Sequence, residues 1–394
     1  MGSNEHASPA SLVPTLGLCA ASSILAEVKA ATGRGSFADR LTRLGHARTF
    51  TSIMANFLEG KDDRRAEKCN QCGRFLQFHH YPGTGDTRLA QAYFCQQWKL
   101  CPLCGIRRGA KKLDVIVRKI RDVLLADDAK RKARESEGGL GLEAWAPLRV
   151  YLVTLTLRDQ ENCAEMFEKL ANCQRRYLQR RRDHIRGKGD AVEANKAEGI
   201  FASFETKRGS GSGLWHWHTH QVWMVRGRID FHALKAEWYD VTGDSHQVDV
   251  QEMGFSKAGD LSDAAMGRDL AEVCKYAMKP SEMNQQDAYD MHQATEGRHF
   301  TRTVGALRFS AEETERIMAI DQDDQLEGQP FDVHVYRWWK GGGRYVRLLG
   351  SGLDRFQRPL RDQGCADVNR ACELRARSRG NLGQGPGGAA PWLD

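Results

Sequence analysis

The clearest patterning of apolar and polar positions lies in the middle of the chain. RVYLVTLTL (149–157) is dense in β-branched residues and reads as a strand. Apolar residues then recur at helical spacing through a basic stretch, which predicts an amphipathic helix over 163–186. GIFASFET (199–206) and HWHTHQVWMV (216–225) return to a strand pattern, and KRGSGSG between them supplies the glycines that a hairpin connection favours. A helix near 230–240, a strand in QVDVQEM and a helix from about 263 follow. Strands interleaved with helices, with a hairpin among them, predict an α+β fold: an antiparallel-rich sheet with flanking helices.

The ends read differently. Residues 1–45 are rich in Ala, Ser and Gly and suggest a loosely ordered leader. ASLVPTLGLCAASSILA lacks the basic start of a signal peptide, and Asn4, Glu5 and His6 precede it. Residues 336–394 thin out into Gly, Arg and Pro and read as a basic tail. Between the ends, residues 46–112 suggest a small cysteine-rich module and 113–335 the strand-and-helix domain. A basic helical stretch, GAKKLDVIVRKIRDVLLADDAKRKA from Gly109, follows the cysteines and runs from one into the other.

Composition narrows the class. With 41% hydrophobic and 28% charged residues the chain is globular, and a net charge of +7 tilts it toward anionic partners. Its apolar runs are too short to span a bilayer, so no membrane segment is expected. Eleven cysteines, an odd number, with tight CxxC pairs and no secretion signal suggest thiolates in a reducing cytoplasm.

Five of those cysteines fall between 69 and 104. Cys69-x2-Cys72 and Cys101-x2-Cys104 each present two thiolates as a zinc knuckle does, and Cys95 is a further candidate. The 28 residues between the pairs exceed the usual zinc-ribbon spacing, so a hairpin must bridge them. A structural Zn²⁺ is expected; the competing reading is buried or redox-active cysteine. A nucleobase deaminase is excluded, because CPLC carries its proline one place too late and no H-x-E precedes it.

RRYLQRRRDHIRGKG (175–189) concentrates Arg175, Arg176, Arg180, Arg181 and Arg182, and Arg107 with Arg108 follows the last knuckle. Such runs serve either as a solvated helix face or as a nucleic-acid surface, and the chemistry elsewhere must decide. That chemistry starts at His216, His218 and His220. Alternate strand positions send all three imidazoles to one side, which points to a metal ion. An all-His set suits Zn²⁺; two imidazoles with a carboxylate and phosphate oxygens suit Mn²⁺ or Mg²⁺, and Glu205 in the neighbouring strand is the candidate carboxylate.

Downstream, RDLAEVCKYAMKP (268–280) sets Leu270, Val273, Cys274 and Ala277 on one helical stripe and Glu272, Tyr276 and Lys279 on another. A free phenol has a pKa of about 10, so Tyr276 needs nearby cations, a metal or a base such as Glu272 to become a nucleophile. A half-exposed helical tyrosine beside ordinary charges fits the same spacing.

LVTLTL, an HxH strand and EVCKYAMK, in that order, resemble the three motifs of HUH endonucleases. More closely, the chain resembles rolling-circle plasmid replication initiators of the Rep_1 type over roughly 69–280. CQQWKLCPLCGIRRGAKK matches their cysteine stretch, and WHWHTHQVWM stands where they carry HPHxHVL. The resemblance implies His218 and His220 as paired metal ligands, with His216 assisting. Thr219 replaces the usual hydrophobic residue, so His216 and His218 form the alternative pair.

It also implies a Mg²⁺- or Mn²⁺-dependent nick of single-stranded or cruciform origin DNA. Tyr276 would take the 5′-phosphate and leave a 3′-OH primer, Glu272 would activate water at termination, and Lys279 would support phosphate charge. No GxxxxGK[ST] occurs, so a host helicase would unwind the DNA and a host polymerase extend it. The setting implied is the cytoplasm of a bacterium carrying a plasmid or mobile element; the oligomeric state is open. Tyr276 follows the histidines, unlike in conjugative relaxases, and Tyr289 lies 13 residues on, too far for a YxxxY pair. The alternatives are an HUH transposase with the same chemistry, a non-catalytic zinc-dependent DNA-binding regulator, and a small-phosphoester hydrolase.

Overall fold

Ser36 and Asp39 form a capping box that starts helix α1 (Phe37–Leu58). Asp62 caps α2 (Asp63–Gln71) through the backbone N–H of Arg65. In the computed structural model residues 36–136, 146–274 and 283–348 are described. Helix α1 begins inside the stretch read as a leader to residue 45. Its buried residues, Leu44, Ala47, Thr51, Met54 and Leu58, recur every three or four positions, a period that the small and basic residues around them obscure.

Between Cys72 and Cys95 the chain makes an antiparallel hairpin of β1 (Phe75–Tyr81) and β2 (Asp86–Ala92). Helix α3 (Pro102–Ser136) follows, with proline at its first position, where no backbone N–H is needed. This single 35-residue helix carries Cys104 in its first turn and Leu113, Ile116 and Ile120 in the core. Next come β3 (Leu148–Thr156), α4 (Cys163–Ile185), β4 (Ala197–Arg208), β5 (Trp215–Arg226), α5 (Phe231–Thr242) and β6 (Val248–Glu252). Helices α6 (Gly254–Ala258), α7 (Asp263–Cys274) and α8 (Gln285–Ala294), strand β7 (Thr301–Gly305) and helix α9 (Ala311–Met318) lead to β8 (Asp332–Trp339) and β9 (Arg344–Arg347). Among the described residues the fold is α+β, with two antiparallel sheets and flanking helices.

The chain divides into two units, which cut across the boundaries expected at 112 and 335. One holds the chain to Cys72 together with Phe94–Ile320; the other holds Gly73–Tyr93 and the chain from Asp321. The cysteine stretch contributes to both units. Its helices belong with the larger sheet, while its hairpin pairs with β8. Strands β8 and β9 also extend into the region read as tail from 336. Lys340-Gly-Gly-Gly343 is the turn between them, and a glycine turn inside an alternating run resembles low complexity.

The larger sheet runs β6-β3-β5-β4-β7, every pair antiparallel. Central β5 buries both faces. Val222 and Met224 join Val150, Phe201 and residues of α3 and α7 on one side. Trp217 and Trp223 stand on the other, against Phe167 and Tyr177 of α4 at ring separations of 5.0 and 6.4 Å. Trp217, Trp223 and Trp238 are fully buried. Each such ring removes about 150–250 Å² from water, roughly 4–6 kcal/mol of gross transfer energy. Among the described residues no helix is long and apolar enough to cross a membrane.

Candidate metal centres

The face of β5 that carries Val222 and Met224 continues to His220 and His218, because alternate side chains share a side. Antiparallel register sets Glu205 of β4 directly across from His218, and Thr154 of β3 across from His220. The two Nε2 atoms are 3.1 Å apart. Glu205 Oε1 lies 4.0 Å from His218 Nε2 and Oε2 lies 3.6 Å from His220 Nε2. Thr154 Oγ1, 3.1 Å from His220 Nδ1, fixes the ring from behind. Glu272, in the last turn of α7, brings Oε1 to 3.8 Å from His220 Nε2.

These donors fit a divalent ion. Nitrogens bonded at about 2.1 Å to one ion stand roughly 3.0–3.4 Å apart for ligand angles between octahedral and tetrahedral. Glu205 is 4% exposed and His218 6%. A divalent cation at this point would add a counter-charge to a carboxylate that far from water.

His216 is held elsewhere. Its Nδ1 lies 2.7 Å from Asp159 Oδ1 and its ring stands 5.3 Å from that of His218, while the ligand atoms that come together are those of Glu205, His218 and His220. The bridge between Gln160 and Trp215 is what brings Asp159 alongside His216. Thr154, inside the strand predicted over 149–157, and Asp159, two residues past it, carry no motif that singles them out in the sequence. Tyr276 and Lys279 lie outside the described residues, which on α7 end at Cys274.

The second candidate centre is built of cysteine sulfur. Cys72, Cys95, Cys101 and Cys104 are buried and mutually close. Sulfur separations are 3.5 Å for Cys72–Cys101, Cys72–Cys104 and Cys95–Cys104. A disulfide needs about 2.05 Å. Four sulfurs at about 2.3 Å from a tetrahedral Zn²⁺ stand roughly 3.8 Å apart, close to what is seen. Cys69 is fully buried beside Cys95 and Cys101 but lies outside this quartet. Cys95 takes the fourth place that the two CxxC pairs had suggested for Cys69. Its own N–H donates to Cys72 Sγ, and Gln96 beside it takes a left-handed φ of 59°, a turn that non-glycine residues adopt only under local constraint. Thr51 Oγ1 lies 3.4 Å from Cys101 Sγ, a neighbour that no motif announced.

Lys99 anchors this stretch. Its buried ammonium donates to the carbonyls of Thr295 and Arg298, and burial pushes its pKa down to about 8. Arg108 lies 4.4 Å above the Trp98 ring, and Arg107 donates to the Ile320 carbonyl.

The arginines of α4 divide in use. Arg181 donates to the carbonyls of Ala194 and Ala197, and Arg176 to that of Val241. Arg180 pairs with Asp240 at 2.6 Å, and Arg182 donates to Gln179. Arg175 is exposed and reaches Asn172. Arg181 and Arg176 thus hold α4 to its neighbours, which a count of charges does not reveal.

A 48-residue stretch is 44% identical to a protein from Bacillus sp. described as "Protein rep", covering 12% of this chain and 15% of that one. No family model matches the chain. No solved structure matches it.

Proposed function

We propose that this chain is a rolling-circle replication initiator of the HUH type, cutting and rejoining single-stranded origin DNA in the bacterial cytoplasm. One observation carries the reading: Glu205, His218 and His220 converge at the end of a sheet face, with Glu272 arriving from the helix that leads toward Tyr276. The partial likeness to "Protein rep" supports the same reading.

When bound by these three side chains, Mg²⁺ or Mn²⁺ supplies Lewis-acid polarisation of the scissile phosphate. The protein's own groups do the rest. The Tyr276 oxygen attacks phosphorus as the bond to the 3′ oxygen breaks. The product is a 5′-phosphotyrosine, and the leaving oxygen becomes a 3′-OH by taking a proton equivalent to the one the phenol lost. Glu272 carries that proton, and at termination removes one from the water or 3′-OH that reverses the link. Lys279 offsets phosphate charge. The cysteine quartet holds a structural Zn²⁺, and the exposed cations of α4, Arg175 first, meet the origin backbone. A host helicase and polymerase complete the cycle. A transposase would use the same residues on element ends. A zinc-dependent DNA-binding regulator is the second reading, favoured by a quartet that needs no catalysis to explain it.

The test is incubation with Mn²⁺ and labelled single strands from the chain's own replicon or element, read on a denaturing gel. A protein–DNA adduct is expected that disappears in Tyr276→Phe and in His218→Ala. An adduct that survives Tyr276→Phe removes that residue as nucleophile. Binding without any adduct favours the regulator.

A further inference from the structure

The four-stranded sheet β2-β1-β8-β9 takes no part in either metal centre. Its last hairpin, HVYRWWKGGGRYVR (334–347), contains Arg337, Lys340, Arg344 and Arg347 and no acid. Four aromatic residues interleave with them, and the pleat sorts them. Tyr336, Trp338 and Tyr345 are buried on one face. The opposite face presents Trp339 across from Arg344 and Arg337 across from Val346. Trp339 is 50% exposed and Val346 41%.

Trp339 is held for presentation. The glycine turn lies against its ring so closely that a Cβ on Gly342 would meet ring carbons at 2.2 and 2.3 Å. Gly343 then turns the chain at a φ of 58°. The Arg344 guanidinium stands 5.3 Å from the ring centroid. The indole is thus fixed on one edge by backbone, with a cation beside it, and keeps half its surface in water. Toward the other end of the same face, Phe331 (46% exposed) stacks on His79 at 3.8 Å. The acids of these strands, Asp86 and Asp332, lie at that far end; Asp332 is seven residues from Trp339, roughly 23 Å along an extended strand.

We propose that this face binds single-stranded nucleic acid, with Trp339 as the platform on which a base stacks and Arg344 and Arg337 as contacts to the flanking phosphates. Aromatic rings interleaved with cations on an exposed sheet suit an unpaired strand, whose bases can reach a ring, whereas duplex bases are already stacked. The surface is independent of the metal centre, so it stands whether or not the chain cuts DNA.

The experiment measures anisotropy of a labelled oligothymidylate and of a labelled duplex with the full chain. Trp339→Ala is expected to weaken the single strand at least about ten-fold and the duplex little, while Trp339→Phe retains most of the affinity. Arg344→Gln is expected to reduce the slope of log affinity against log salt by about 0.7. Photo-crosslinking of 4-thiothymidine strands to the unmodified protein should mark residues 333–347, a readout that needs no variant to fold. Unchanged single-strand affinity in a folded Trp339→Ala protein, crosslinks only elsewhere, or equal losses for both DNAs would each overturn the assignment.

Discussion

Glu205→Gln separates the role of this carboxylate in folding from its role in metal binding, because the two effects have opposite signs. Without metal, a carboxylate 4% exposed faces two imidazoles that are themselves largely enclosed. Glutamine keeps the volume and removes the charge, and both imidazoles can stay neutral, so no unpaired charge is left behind. With no counter-charge stranded, the change only removes the cost of keeping a charge away from water, so metal-free stability should be equal or higher. With metal the order reverses. An ion at about 100 times its dissociation constant stabilises the native state by about 2.7 kcal/mol. For a unit of this size that is roughly 5 °C, taking the lower end of the usual 2–4 °C per kcal/mol.

Scanning calorimetry with and without Mn²⁺ reads both terms. The unmodified protein should gain about 5 °C. Glu205→Gln should start at or above the unmodified protein's metal-free midpoint and gain little. His216→Ala should retain the gain, since His216 lies outside the group formed by Glu205, His218 and His220. An equal gain in Glu205→Gln would refute the ligand assignment, and a gain lost in His216→Ala would show that the wrong histidine pair was chosen.

Other consequences follow from the buried groups. If the quartet holds zinc as proposed, Cys95→Ser should purify without it and melt lower, whereas Cys69→Ser should keep one zinc per chain; metal analysis of the purified variants distinguishes them, and the reverse result would exchange the two cysteines. Burial pushes Lys112 down to about 8 from 10.5. The native state therefore binds fewer protons than the unfolded chain between those values, and stability rises with pH across that window. Below it the penalty is fully present, on the order of 3 kcal/mol. Lys112→Met should be more stable than the unmodified protein at neutral pH and should flatten the rise, which urea titrations at several pH values would check.

Much of the larger sheet was legible because its strands alternate strongly and are separated by glycine-rich turns. HWHTHQVWMV shows the whole device: the period of two that buries Val222 and Met224 also aligns His218 and His220. Register was not legible. Nothing in FASFET says that Glu205, and not Ser203, faces His218; that follows from where the 209–214 turn closes the hairpin. In the cysteine stretch, which four of the five candidate sulfurs come together was not legible for a related reason. CxxC spacing identifies thiols that a knuckle turn can pair, but Cys95 enters the quartet only because β1 and β2 return the chain to Cys72, and that hairpin is fixed by pairing with residues more than 200 positions away. Helix α1 and strand β8 were hidden by composition, since small or glycine-rich surroundings outweigh a modest periodicity when the eye reads averages.

Helix α3 couples what the sequence presented as separate modules. Cys104 is in its first turn, and five residues later Gly109 meets the end of α7 so closely that an added Cβ would stand 3.0 Å from the Cys274 carbonyl oxygen. Glu272 lies two residues before that carbonyl. Gly109→Ala therefore sets two local effects against each other: alanine gains up to about 1 kcal/mol in helix propensity, and the tight contact must open by a few tenths of an ångström. The net stability change should be small and the zinc content unchanged, since the quartet is not touched. What should change is the approach of Glu272 to His220, now 3.8 Å, and with it, on the proposed function, strand cleavage by a protein whose fold and metal content are unaltered. If Gly109→Ala cuts as fast as the unmodified protein at equal metal concentration, the end of α7 is not positioned by α3, and the two metal centres are mechanically independent.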